Sequence, residues 1–255
     1  MLIPYQAEVV MERWPIANWV IIALTVLISF WGFFAPSNIG AVDAPPIFEN
    51  VEDIPPEWLE NEALREFFEP AEHKPTVFDR MVLDGWSVPG LFTYMFLHGD
   101  FFHLLGNMIF LFVFGNAVCA KVGNLWYPLF YFLAGLIAAV AHVLFSEGLA
   151  LGASGAVNGV VGFFLVYYPI NEIHCAYIYY PFGGSFSVSS YVMILIWFGL
   201  DLLGAFYFDD GVAYAAHIGG FLLGFGIASY LLLFRILTAT RYERSIFDAL
   251  KGRTT

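Results

Sequence analysis

Long apolar runs separated by short polar stretches dominate this chain of 255 residues. Six runs carry few charges: Pro15 to Phe34, Phe102 to Ala120, Trp126 to Phe145, Ser154 to Tyr168, Tyr191 to Phe208 and Ala213 to Ile236. A bilayer core of about 30 Å takes about 20 apolar residues in a helix, so runs of this kind predict membrane spans. They are continuously apolar, whereas barrel strands alternate over about ten residues, and helices are therefore expected. The predicted fold class is all-α: a polytopic bundle of six transmembrane helices with a long outer loop between the first and second. The first run is too long for a secretory signal and "FFAPSN" offers no small-residue cleavage site, so it reads as an uncleaved span. The fourth run covers only roughly 22 Å at about 1.5 Å per residue. Its first residue, Ser154, should lie below the outer surface, in a cavity that water can enter.

Composition agrees with this pattern. Hydrophobic residues make up 60% of the chain and charged residues 13%, and the mean hydropathy is +0.72. Soluble domains hold roughly 45 to 50% apolar residues. The net charge of −12 is concentrated: twelve acids against Arg65, Lys74 and Arg80 lie between Asp43 and Asp84. This excess of acid argues against nucleic acid as a partner. The chain reads as one domain, 1–255, with 35–100 as an acidic outer loop and 237–255 as a basic cytoplasmic tail. Within the loop, "PPEWLENEALREFFEP" places Leu59, Ala63 and Phe67 at helical spacing, as in an amphipathic helix between prolines.

Arg235, Arg241, Arg244, Lys251 and Arg253 lie at or beyond the end of the last run, and Lys121 lies between the second and third. By the positive-inside rule both regions are cytoplasmic. With six spans the N-terminus is then cytoplasmic too, and the acidic loop is outside. The aromatic stretch 169–190 falls on the cytoplasmic side without Lys or Arg. It reads either as an interfacial loop with Tyr at headgroup depth or as a surface for a membrane-protein partner. Cys119 and Cys175 read as buried filler rather than as a disulfide.

Polar side chains at membrane depth cost several kcal/mol if unpaired, so each is a candidate site residue. His103 and Asn107 are spaced i and i+4 in "FFHLLGNMIFLF", Ser154 opens the fourth span in "GASG" with Asn158 one turn on, and His217 lies in "AYAAHIGGFLLG". Spans two, four and six all run from outside to inside, and His103, Asn107, Ser154 and His217 occupy the first third of theirs. They share one depth. Gly152, Gly155, Gly159 and Gly162, with Gly219, Gly220, Gly224 and Gly226, allow close helix approach. Taken alone, "GASG" reads as a packing motif, but the imidazole of His217 in a matching glycine-rich span needs a partner. An imidazole can take the proton of a serine hydroxyl, and Asn or His can donate to the resulting oxyanion. The inventory fits acyl transfer to water.

These residues resemble the rhomboid intramembrane serine proteases over about Trp86 to Gly226. The resemblance rests on "FLHGDFFHLLGN", with His98, His103 and Asn107, on "GASG" and on "AHIGG". It implies a Ser-His dyad, with Ser154 as nucleophile and His217 as general base. It further implies His103, Asn107 and the Ser154 N–H as oxyanion donors, and Trp197 and Phe198 as side chains of a substrate gate on the fifth span. Single-span membrane proteins within the lipid bilayer are the implied substrates, and no metal or cofactor is implied. Two positions depart from the family pattern: Trp86 is followed by Ser87 rather than Arg, and Asn158 replaces an aromatic residue found in some members. Asn158 could orient His217 by a hydrogen bond or pack against a partner helix. Asp201 reads as bonding a backbone or polar group at the gate, with a complete triad as the lesser alternative because the resemblance implies a dyad, and His142 reads as interfacial rather than catalytic. A catalytically silent rhomboid-like binding protein and a subunit of a larger membrane complex are the competing readings.

Overall fold

The computed structural model describes residues 2–37, 75–179, 182–208, 210–240 and 243–251. Its elements run β1 (Leu2–Ala7), α1 (Ile16–Gly32), α2 (Val77–Met81), α3 (Val88–Thr93), α4 (Phe101–Val122), α5 (Trp126–Phe145), α6 (Ser154–Tyr167), β2 (Glu172–Tyr179), β3 (Phe182–Ser189), α7 (Ser190–Tyr207), α8 (Tyr214–Leu233) and α9 (Ile246–Leu250). The chain divides into two units, Ala35–Arg80 and the remainder. In the smaller unit Thr76 and Asp79 cap one another: the Thr76 N–H donates to Asp79 Oδ2 at 2.8 Å and the Asp79 N–H to Thr76 Oγ1 at 3.2 Å. The amphipathic segment expected at "PPEWLENEALREFFEP" lies outside the described residues.

Every one of the six apolar runs holds a helix. Four of them, α4, α5, α7 and α8, are long and apolar enough to cross a membrane, while α1 and α6, of 17 and 14 residues, are shorter apolar helices. The fold is mostly helical but not all-α. Residues 172–189, expected as a loop, form a β2–β3 hairpin, and β1 adds to it in an antiparallel sheet of order β1-β2-β3. Alternation in "EIHCAYIY" explains the strand: Ile173 and Cys175 are buried while Glu172 is exposed and His174 is half-buried. Pro4 lacks an N–H and lies on the edge strand, where the register shifts between Pro4 and Gln6.

A π-type turn at Leu111–Gly115 interrupts α4, and α1 satisfies the groups it disturbs. The buried Asn18 Nδ2 donates to the Leu111 carbonyl and to Asn116 Oδ1, both at 2.9 Å, and Asn18 Oδ1 accepts from the Tyr127 hydroxyl at 2.7 Å. Three helices thereby share one amide. Near the opposite end of α4, Lys121 pairs with Glu243, and the Tyr168 hydroxyl donates to the same carboxylate at 3.0 Å. That pair, buried on both sides, fixes the chain beyond α8.

Helix α6 lies at the centre: every residue of it is buried except Ser154 and Asn158. Small residues bring its neighbours in. A Cβ on Gly155 or Gly159 would run into Ala138 or Ala134 of α5, and a Cβ on Gly220 or Gly224 of α8 would strike the carbonyls of Gly155 or Gly159. The α6–α8 contact is therefore backbone on backbone, the close approach that small residues permit between membrane helices. Gly224→Ala should lower stability by about 1–3 kcal/mol or more, the usual range for overpacking, because the obstructing atoms are main chain. Denaturant or thermal unfolding in detergent checks this, and Gly226→Ala, where a Cβ meets nothing, is the matched control.

Candidate active site

The segment leading into α6 is stitched to the strand-like stretch after α2. Leu83 and Ala150 exchange two backbone hydrogen bonds of 3.0 Å, and the Gly152 N–H donates to the Tyr94 carbonyl at 3.0 Å. Gly152 has φ of +127°, a conformation that favours glycine, and a Cβ there would lie 2.8 Å from His103 Cε1. A glycine thus lets the His103 ring lie beside the approach to Ser154.

His98 supplies the remaining tie. The hydroxyl of Ser29 donates its one hydrogen to the Phe96 carbonyl at 2.7 Å, so at 2.8 Å it accepts from His98 Nδ1–H. His98 Nε2 is then the bare nitrogen, and it accepts the Ala153 N–H at 3.3 Å. The imidazole, only 3% exposed, therefore joins α1 to the residue before Ser154 as a neutral ring. Burial, and secondarily the nearby His103 ring, push its pKa down to about 3. Asp100 caps α4 through the N–H groups of Phe102 and His103, at 2.7 and 3.0 Å, and the His103 bond foremost holds its carboxyl below the usual range.

Ser154, the first residue of α6, places its Oγ 2.8 Å from His217 Nε2 on α8. A cavity of about 960 Å³ opens beside the pair, and its lining includes His103, Asn107, Trp197 and Phe198. All six sequence-predicted site residues meet there. His103 presents its ring toward Gly152, and Asn107 Nδ2 donates to the His103 carbonyl of its own helix at 3.0 Å, leaving its second hydrogen. The N–H groups at the start of α6 have no carbonyl partner within the helix and point toward the same end. The Trp197 ring lies tilted 4.4 Å from Phe110 of α4, and Phe198 stacks 4.2 Å from Phe221 of α8.

Three further polar residues singled out in the sequence find definite partners. Of the backbone or polar groups open to Asp201, the one it meets is His217: its Oδ1 lies 3.0 Å from His217 Nδ1, on the side of the ring away from Ser154. His142 is buried in the last turn of α5, with Nε2 3.1 Å from the Gly148 carbonyl on the turn before Ser154. Asn158 does not hydrogen-bond His217: its Nδ2 donates to the Ser154 carbonyl at 3.1 Å, and the residue lines the cavity. Depth was the available signal for Asp201. It lies two-thirds of the way along α7, a span expected from the sequence to run outward, toward the level expected for the other four. No comparable signal marked Ser29, a hydroxyl in an unremarkable apolar run.

Residues 85–234 match the Rhomboid domain family. Over 151 residues the chain is 31% identical to RHOMBOID-like protein 4 of Arabidopsis thaliana, covering 59% of this chain and 35% of that protein. It is 30% identical over 155 residues to RHOMBOID-like protein 6, mitochondrial, and 28% over 171 residues to RHOMBOID-like protein 5, both of Arabidopsis thaliana, covering 60% and 64% of this chain and 47% and 50% of theirs. The chain therefore spans half or less of the length of these relatives. With several helices apolar enough to cross a bilayer, the fold and its match define an integral membrane protein. The chain belongs to the rhomboid family.

The buried state of His98 makes stability depend on pH. Between about pH 6.5 and pH 3 the unfolded chain binds a proton at this ring that the folded chain refuses, so stability is lost as pH falls through that window. The slope should reach about 1.4 kcal/mol per pH unit from this group. A pH series of unfolding in detergent should give a shallower acid slope for His98→Gln than for the parent.

Proposed function

We propose that the protein is an intramembrane endopeptidase that hydrolyses peptide bonds of single-span membrane proteins, with Ser154 as nucleophile and His217 as general base. The 2.8 Å separation of Ser154 Oγ and His217 Nε2 beside a large cavity is the observation that carries this reading. In it, Ser154 Oγ attacks the scissile carbonyl carbon as its proton passes to His217 Nε2. The carbonyl oxygen becomes an oxyanion, met by the Ser154 N–H, the second Asn107 hydrogen and the His103 ring. The imidazolium then gives its proton to the departing amine. Water, losing a proton to His217, hydrolyses the acyl-enzyme and restores the serine.

Six spans cross the membrane in this reading, α1 and α6 included, with both chain ends cytoplasmic and the cavity open to the extracytoplasmic side. The basic residues after α8 and Lys121 after the α4 turn support that orientation. Substrate enters past α7, where Trp197 and Phe198 close the gap to α4 and α8, and the β2–β3 hairpin offers a cytoplasmic surface to a membrane-protein partner.

Ser154→Ala should abolish cleavage of a reporter transmembrane substrate in reconstituted vesicles, with unfolding unchanged; cleavage at the parental rate would reject the nucleophile. His103→Ala and Asn107→Ala should each slow cleavage by roughly 10²- to 10³-fold, the loss typical of one oxyanion donor. Steady-state rates on the same reporter measure this.

A further inference from the structure

Both ring nitrogens of His217 are engaged, Nε2 by Ser154 and Nδ1 by Asp201. A carboxylate can only accept hydrogen bonds. It therefore requires the proton on Nδ1 and leaves Nε2 as the bare nitrogen, which is the form able to remove the serine proton. When Nε2 takes that proton, the ring becomes a cation with a carboxylate 3.0 Å away, and a charge-assisted bond of this kind is roughly twice as strong as a neutral one. The pair is only partly shielded, with side-chain exposures of 14% for His217 and 18% for Asp201.

The helix that brings the carboxylate is the least buried of the long four, and its buried residues are Ser190, Met193, Ile194 and Gly204. Within little more than one turn, Trp197, Phe198 and Asp201 make its contacts to Phe110, Phe221 and His217. Gly204 allows the next turn to press on the Tyr214 ring, where a Cβ would collide.

We infer that Asp201 is a positioning residue that orients His217 as a base, completing a Ser154–His217–Asp201 array only while α7 is docked. The inference rests on Ser154 and His217 being the nucleophile and base proposed above. It departs from the two-residue machinery that the family resemblance implies, because a helix on the substrate's entry side supplies the third group. Nothing is consumed or transferred at Asp201: the Nδ1 proton stays on the ring throughout, and only the Nε2 proton moves.

The test uses the full chain in detergent and in vesicles. Acylation by a fluorophosphonate, a small probe that needs no transmembrane helix to enter, reports the Ser154–His217 pair directly. For Asp201→Asn, acylation and kcat should both fall by roughly 10²- to 10⁴-fold, as when the carboxylate behind a catalytic histidine is neutralised in serine proteases. KM for the transmembrane reporter and the unfolding midpoint should stay at the parental values, which a merely structural loss at α7 would not leave untouched. Nitrogen-15 NMR of the parent with labelled histidine gives an independent reading that needs no variant, and His217 should carry its proton on Nδ1. Parental acylation by Asp201→Asn, a fall in its rate matched by a lowered midpoint, or an Nε2-protonated His217 in the parent would overturn the inference and leave the protease reading standing. Equal labelling of the parent and Ser154→Ala, or no labelling of the parent, would overturn that reading and this inference together.

Discussion

At Gly155 and Gly159 on α6 and at Gly220 and Gly224 on α8, the main chain of one helix fills the space a side chain would need on the other. This backbone contact sets the distance between Ser154 and His217. Each residue lies about one turn or less from the contact, so neither side chain has room to swing far from its partner. The alanines of α5 press α6 from behind, and the hydrogen bonds at Ala150, Gly152 and Ala153 hold the turn that delivers it. Packing of this kind is unforgiving, because main chain cannot adopt another rotamer.

Polar groups inside the apolar frame are spent on joining segments distant in sequence. Asn18 binds the disturbed carbonyl of α4 and the Tyr127 hydroxyl, and His98 binds Ser29 and the Ala153 N–H. In both places one side chain joins three segments, its own and two others, as buried polar groups require in a medium without water. The geometry near Ser154 therefore depends on α1, a helix that contributes no atom to the cavity lining.

The helical runs were legible because a continuous apolar stretch of this length has few other stable forms in lipid. The sheet was not legible: "EIHCAYIY" alternates, but its aromatic content and position between spans also suit a headgroup loop. In the structure β2 pairs with the adjacent β3 over eight residues and also with Leu2–Ala7, a partner about 170 residues away that no local pattern announces. The meeting of Ser154, His103, Asn107 and His217 was legible from common depth and glycine spacing. Asp201 stands two-thirds of the way along α7, and its contact depended on the rotation of that helix about its own axis, which hydropathy does not report. His142 and Asn158 each found a hydrogen-bond partner within a few residues along the chain, where no distant group needed to be invoked.

The strand at the amino end has one more implication. β1 closes the sheet whose last strand runs without a break into α7, and Ser190 donates its hydroxyl to the Asn171 carbonyl at that junction. The opening residues of the chain are thus mechanically continuous with the helix bearing Trp197 and Asp201. An affinity tag or fusion partner attached ahead of Leu2 pulls on that linkage, whereas the same handle placed after α9 hangs from a segment clamped by Lys121 and Glu243.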